Sequence, residues 1–443
     1  MLLQFIIGIA RMANTIDHLY EYLADEEDAR VCKDIPDSAC RVVPGNFLAI
    51  FVTQVLTKIG DALASSKVVL PWLLSSVGAP AFFAGILVPI RESGSMLPQL
   101  FIGGYVRGFP VRKWFFVLGS AMQGIVVCTI AWVGLKFDGY AAGVLITALL
   151  IVFSLARGLC SVASKDVLGK TIPKTRRGLL AGYCSSAAGL VTICVGIGLL
   201  FSDSSDVDRY ALLLLAAGLC WILATLTYAR IREYPGAAEG GGNAFVAALS
   251  SLSLLRTDGV FRNFVVTRTL MMSSGLAAPY LVILAREAAG ESSLLNLGFF
   301  IVAGGIAGFC SGVVWGKLAD RSSRRVLLLT AALTSLICAA ASGLAVSANS
   351  NVFWPILILF FLLSVTHEGV RLGRKTYLVD MASGNRRTEY VAVSNSVIGL
   401  LLLIIGLAGA LVAQFSLALI LAVFALLGFA AVITGWNLPE VQE

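Results

Sequence analysis

The chain has 443 residues, 58% of them hydrophobic and 13% charged, with a mean hydropathy of +0.87. Soluble domains carry about 25% charged residues, so this composition excludes a soluble enzyme, a disordered chain and a coiled coil. The net charge of +7 does not point to nucleic acid, because the basic residues fall in short clusters between apolar runs and form no single stripe.

Residues 1–45 form an acidic cytoplasmic N-terminal segment, with Asp25, Glu26, Glu27 and Asp28 in one run. Met1 to Ala10 is apolar but too short to span a bilayer, and Arg11 follows it where a signal peptide would have its basic residues in front. A short amphipathic surface helix and a start at Met12 are the two readings of this stretch. Cys32 and Cys40 can pair only in an oxidising compartment. The other seven cysteines lie in apolar runs, where they serve as small hydrophobes.

A helix needs about 20 mostly apolar residues to cross a bilayer. Twelve stretches qualify: about 47–74, 79–105, 114–135, 138–163, 178–201 and 209–230, then about 263–285, 294–318, 325–346, 352–378, 389–414 and 416–437. Runs of this length exclude a β-barrel, whose strands are about ten residues long. Backbone hydrogen bonding in lipid then leaves a helical bundle, an all-α membrane protein. Basic clusters occupy every second loop: Arg107, Arg112 and Lys113; Lys170, Lys174, Arg176 and Arg177; Arg230, Arg232, Arg256 and Arg262; Arg321, Arg324 and Arg325; Arg386 and Arg387. Basic loops stay on the cytoplasmic side, which predicts both termini there.

The connection 231–262 holds Pro235 and Gly240 to Gly242 and reads as a flexible cytoplasmic linker. It divides the chain into six-helix bundles at 46–230 and 263–437, with a tail at 438–443. Internal similarity agrees with that division. Ser154 to Arg177 resembles Ser364 to Arg387 at an offset of 210, and Gly104–Lys113 aligns with Gly316–Arg325 at an offset of 212. Two like halves joined by a linker are a transporter plan.

The decapeptide Gly316-Lys-Leu-Ala-Asp320-Arg321-Ser-Ser-Arg324-Arg325, between the eighth and ninth spans, resembles the signature loop of the major facilitator superfamily. The resemblance, with the six-plus-six plan, covers about 46–437. It implies alternating access, a central cavity lined by the first, fourth, seventh and tenth spans, and a gate at this loop. The gating candidates are Gly316, Asp320, Arg321, Arg324 and Arg325, with Gly104, Arg112 and Lys113 in the first half. There Gly108 stands in place of the Asp and Pro110 follows. Either the second half carries the lock alone, or Arg112 and Lys113 have other partners.

Ionisable residues inside a membrane cost roughly 2.5–3.5 kcal/mol each and mark function by default. Lys58, Asp61 and Lys67 lie in the first span, Arg91 and Glu92 in the second, Arg157 in the fourth, Arg268 in the seventh, and His367, Glu368, Arg371 and Arg374 in the tenth. The candidate substrate or proton sites are Asp61, Glu92, Glu368, Lys58, Arg91, Arg157, Arg268, Arg371 and His367. The carboxylates suit a coupling proton and the arginines an anionic group. The competing reading is mutual neutralisation within Lys58–Asp61, Arg91–Glu92 and Glu368–Arg371. Gly304, Gly305 and Gly308 predict close helix contacts.

No phosphate loop, metal cluster or nucleophile–base pair is present in the sequence, so no cofactor and no enzymatic activity is expected. The reading is a monomeric secondary transporter in the plasma membrane (the inner membrane, in a bacterium), moving a small polar or anionic solute with proton coupling. Its alternatives are an efflux permease for amphipathic compounds and a lipid flippase.

Overall fold

A computed structural model describes residues 42–98, 102, 105–106, 108–200, 207–235, 253–289, 294–347, 352–381 and 386–441. The acidic segment with Cys32 and Cys40, Gly104, and linker residues 236–252 lie outside the described residues. Asp320 is described by its backbone alone. The described residues fold as helices and loops without a strand.

The first half holds α1 (Val43–Leu63), α2 (Val69–Ser76), α3 (Ala81–Met96), α4 (Lys113–Lys136), α5 (Gly139–Thr171), α6 (Lys174–Leu200) and α7 (Val207–Ala229). The second holds α8 (Gly259–Leu270), α9 (Ala278–Ala289), α10 (Leu294–Arg321), α11 (Ser323–Val346), α12 (Phe353–Met381), α13 (Arg386–Ala413) and α14 (Leu417–Trp436). Among the described residues nine helices are long and apolar enough to cross a membrane, with α8 and α9 counted as one run. α3, in the stretch predicted at 79–105, has 16 residues, and the apolar runs within α6 and α10 are Gly189–Gly198 and Asn296–Ser311.

Two predicted spans are broken, each beside a serine pair followed by a proline. The span read as 47–74 stops at Leu63 and resumes at Val69. Ser65 Oγ accepts the Lys67 amide at 3.3 Å, a local bond that competes with the helix. Pro71 has no N–H to return to the Lys67 carbonyl. The span read as 263–285 pauses at Met271 and Met272, makes one turn over Ser273–Leu276 and resumes at Ala278. Here Ser273 and Ser274 follow the pause and donate to the Leu270 and Met271 carbonyls at 3.1 and 3.0 Å, and Pro279 lies beyond. Ser65-Ser66 with Pro71 and Ser273-Ser274 with Pro279 repeat at an offset of 208.

Within each half most of the packing joins helices that are not consecutive in sequence. α4 packs on α5 and α7, α7 on α1, and α3 on α5; α11 packs on α12 and α14, α10 on α12, and α8 on α14. Between the halves, α3 packs on α13 and α6 on α10. At the first of these crossings Gly406 lies directly against the Pro89 ring.

The apolar core has two regimes. One cluster runs through both halves, from Leu63, Leu73, Val88, Ile130 and Trp221 to Leu276, Leu281, Phe300, Phe360 and Phe424. Toward the basic loops the core divides. Val43, Phe47, Phe116, Val167 and Tyr228 form a cluster within the first half, and Phe261, Phe264, Tyr377, Tyr390 and Leu438 one within the second. The outer faces carry exposed Leu118, Ile125, Leu336, Leu426 and Phe429, an apolar surface that suits lipid and not water.

Candidate functional site

A cavity of about 1490 Å³ lies between the halves. All nine candidate substrate or proton residues line it: Lys58, Asp61, Arg91, Glu92, Arg157, Arg268, His367, Glu368 and Arg371. Lys67 and Arg374 line it as well, which makes seven cations against three carboxylates among the described residues. The breaks in the first and seventh spans help build this wall. They place Ser65 and Lys67 on one side and Met271, Met272, Ser274 and Gly275 on the other.

Asp61 is the hub of the first-half wall. Arg91 Nη2 donates to Asp61 Oδ1 at 2.7 Å, and Arg157 Nη1 donates to the same oxygen. Three helices, α1, α3 and α5, therefore converge on one carboxylate. Arg91 also donates to Ser66 Oγ at 3.4 Å and lies 5.8 Å from the centre of the Phe153 ring. Of the neutralising pairs the sequence suggested, Glu368–Arg371 forms at 2.8 Å. Asp61 and Arg91 pair with each other, and neither takes its predicted partner. The reason is direction: Arg91 and Glu92 are adjacent and point about 100° apart on a helix, so Arg91 faces α1. The Glu92 carboxylate makes no ion pair or hydrogen bond among the described residues and faces the cavity near Arg157, Arg91, Lys67 and Arg374.

The second-half wall is organised differently. Arg268, 6% exposed, donates through Nη1 to Ser394 Oγ at 2.6 Å and through Nη2 to Asn395 Oδ1 at 3.0 Å. Both acceptors are neutral, and its Nε is buried without an acceptor. Ser394 and Asn395 escaped sequence reasoning, although a polar Ser-Asn-Ser run inside an apolar span was a signal. His367 Nδ1 and Ser274 Oγ lie 3.0 Å apart. Ser66 and Ser274, equivalent in the two breaks, thus each hold a basic side chain of a neighbouring span.

The glycines divide by role. A Cβ on Gly305 would meet Ile193 at 2.8 Å, as close packing predicts. Gly304 and Gly308 have open space there, and all three glycines line the cavity.

In the first-half loop, Arg112 and Lys113 do find other partners. Arg112 Nη1 meets Asp166 Oδ2 at 2.9 Å. The Arg112 and Lys113 amides donate to Glu233 Oε2 at 2.8 and 2.6 Å, so a carboxylate sits on the α4 N-terminus, where the helix dipole favours it. Lys170 Nζ donates to Glu233 Oε1 at 2.9 Å. Lys113 Nζ in turn donates to the Ala229 and Ile231 carbonyls at 3.0 and 2.8 Å, satisfying the end of α7. Asn46 exchanges two hydrogen bonds with the Arg232 backbone. In the second half, Ser322 caps α11 and donates to Glu440 Oε2 at 2.8 Å, while Arg324 Nη2 donates to the Trp436 carbonyl at 2.7 Å. Gly316 is partly buried, and Arg321 and Arg325 are exposed. Glu233→Gln keeps the shape and removes the charge from a fully buried acceptor. We expect a stability loss of about 1–3 kcal/mol, seen as a lower melting temperature, with little change in substrate affinity.

The sequence matches the Major Facilitator Superfamily profile over residues 47–360 and 311–442. The chain belongs to this superfamily. It is accordingly a multi-pass membrane transporter and not an enzyme. A comparison with characterised protein sequences found no match. Among solved structures, the fold is similar to a D-xylose–proton symporter, with a TM-score of 0.67 at 15% identity, covering 89% of this chain and 98% of that one. It is similar to an inward open conformation of the xylose transporter XylE from E. coli, with a TM-score of 0.65 at 15% identity, covering 89% and 96%. It is also similar to the nucleoside transporter NupG, with a TM-score of 0.66 at 10% identity, covering 88% and 98%. At these identities the likeness is one of fold.

Proposed function

We propose that this superfamily member is a proton-coupled secondary transporter that moves a small anionic solute across the plasma membrane by alternating access, as a monomer. The observation that carries the reading is the charge of the cavity: seven cations face three carboxylates, and two of those carboxylates are already in ion pairs with arginines. A formal excess of four positive charges in a desolvated space is costly, and an anionic solute offsets it.

The two bundles, 46–230 and 263–437, rock about the cavity. Their shared core and their separate cores support the state open toward the basic loops, with both termini on that side. Asp320 and its loop are the gate of the second half, and the Glu233 cluster holds the corresponding loop of the first. Among the carboxylates, Glu92 is the proton carrier that this geometry favours, because protonating it breaks no ion pair. The likeness in fold to a proton symporter supports the same coupling.

The test is uptake into proteoliposomes from a panel of labelled anions and neutral sugars, with and without an inward proton gradient. An anion driven by the gradient is expected. Glu92→Gln is expected to lose gradient-driven uptake by at least tenfold while keeping exchange. Equal loss of both would assign Glu92 a structural role. Movement of amphipathic drugs or lipids alone would turn the assignment to an efflux permease or a flippase.

A further inference from the structure

Resting on the reading of the cavity as an anion site, we propose that Arg268, Arg374 and Lys67 form a subsite for the doubly charged phosphoryl group of a small phosphate monoester. Arg268 is buried, lines the cavity, and is held by two neutral acceptors, with no carboxylate paired to it among the described residues. Its Nε–H is buried and meets no acceptor. Removing the partner of a buried charge is strongly unfavourable. A guanidinium held in this way at a cavity wall leaves its counter-ion to a ligand.

Arg374 comes from α12 and lies within electrostatic reach of Arg268, yet it also makes no ion pair among the described residues. Lys67, from the break between α1 and α2, makes none either, and it shares the neighbourhood of His367 with Arg371 and Arg374. Of the other four cavity cations, Lys58 is engaged and three arginines are in ion pairs. Asp61 takes Arg91 and Arg157, and Glu368 takes Arg371. Glu92 faces Lys67 and Arg374 without pairing.

Three cations and the one unpaired carboxylate Glu92 leave two of the four excess positive charges at this subsite, the other two belonging to Lys58 and to the Asp61–Arg91–Arg157 group. A monocarboxylate would match one of them. A dicarboxylate carries two but holds them apart on separate groups, whereas Arg268 and Arg374 lie within electrostatic reach of each other on the second-half wall, with Lys67 lining the same cavity from the first break. A phosphate monoester carries about −1.5 to −2 charge near pH 7 on three acceptor oxygens, and guanidinium groups match that geometry. The ester's organic body then faces the less charged part of the lining, which includes Met96, Met272, Phe300 and Leu402.

The experiment is calorimetric titration of the purified full chain at fixed ionic strength, with glycerol 3-phosphate, glucose 6-phosphate, uridine monophosphate, inorganic phosphate, succinate, lactate and glucose. At least one monoester is expected to bind at least tenfold more tightly than succinate, lactate or glucose. Binding of inorganic phosphate as tightly as any ester would support the subsite and identify free phosphate as the cargo. Arg268→Gln is expected to weaken that binding at least tenfold, with Arg268→Lys in between. Because Arg268→Gln can disturb folding, Arg374→Gln and Lys67→Gln provide independent variants and should each weaken it at least threefold. Succinate binding as tightly as the phosphates would overturn the phosphoryl subsite but leave the anion reading standing. Binding of glucose alone, or no change on neutralising these three cations, would overturn both.

Discussion

Asp61→Ala is expected to abolish transport and to destabilise the protein by about 1.5–3 kcal/mol, the cost of stripping a partly buried, charged hydrogen-bond group of its acceptor. The effect is large because one oxygen of Asp61 serves both Arg91 and Arg157. Without it, two guanidinium groups from α3 and α5 face each other and α1 loses its tie to both. Asp61→Asn keeps the volume, and its amide oxygen still accepts a bond, so its folding loss should be smaller while its transport loss stays at least tenfold. Asp61→Asn combined with Arg91→Gln should recover stability relative to Asp61→Asn alone, since one stranded charge is gone. The check is a double-mutant cycle of melting temperatures beside uptake rates. Simple additivity of the two single changes would contradict the shared-carboxylate account.

Gly406→Val should have the second-largest effect. Gly406 of α13 lies against the Pro89 ring of α3, and a Cβ there would overlap the Pro89 Cγ and Cβ. Neither side can yield cheaply, because the obstruction is a proline within a helix. Overpacking of a tight contact costs about 1–3 kcal/mol, and here it also opposes the state in which α3 and α13 meet this closely. We expect Gly406→Val to populate the alternative state, with less labelling from the basic-loop side at Cys310, which is exposed and lines the cavity. Exchange should fall at least tenfold while the protein stays folded. Unchanged Cys310 labelling would show that the α3–α13 contact does not hold the closure.

The fold class was legible because burial in lipid demands long apolar helices, and those persist in composition alone. The deep charges were legible for the complementary reason: each is costly enough to stand out, and all nine candidates do line one cavity. Pairing was not legible. Helix spacing gives which residues share a face of one helix, but Asp61, Arg91 and Arg157 meet across three helices, whose relative rotation no single span encodes. The breaks were hidden for a different reason. Hydropathy averages over a window and passes smoothly across Ser65-Ser66-Lys67 and Ser273-Ser274-Gly275. The repeated serine pair with a proline six positions after its first serine was the available signal. Glu233 was missed because a carboxylate after an apolar span reads as a solvated linker residue, whereas its side chain is fully buried on the α4 N-terminus.

The most direct test of the central claim is charge movement on a solid-supported membrane when proteoliposomes holding the full chain meet small anions or their neutral analogues. The account predicts a transient current evoked by at least one anion, absent with neutral sugars and reduced at least tenfold in Arg268→Gln and Asp61→Asn. A current evoked equally by neutral sugars, and unaltered by neutralising Arg268, would contradict it.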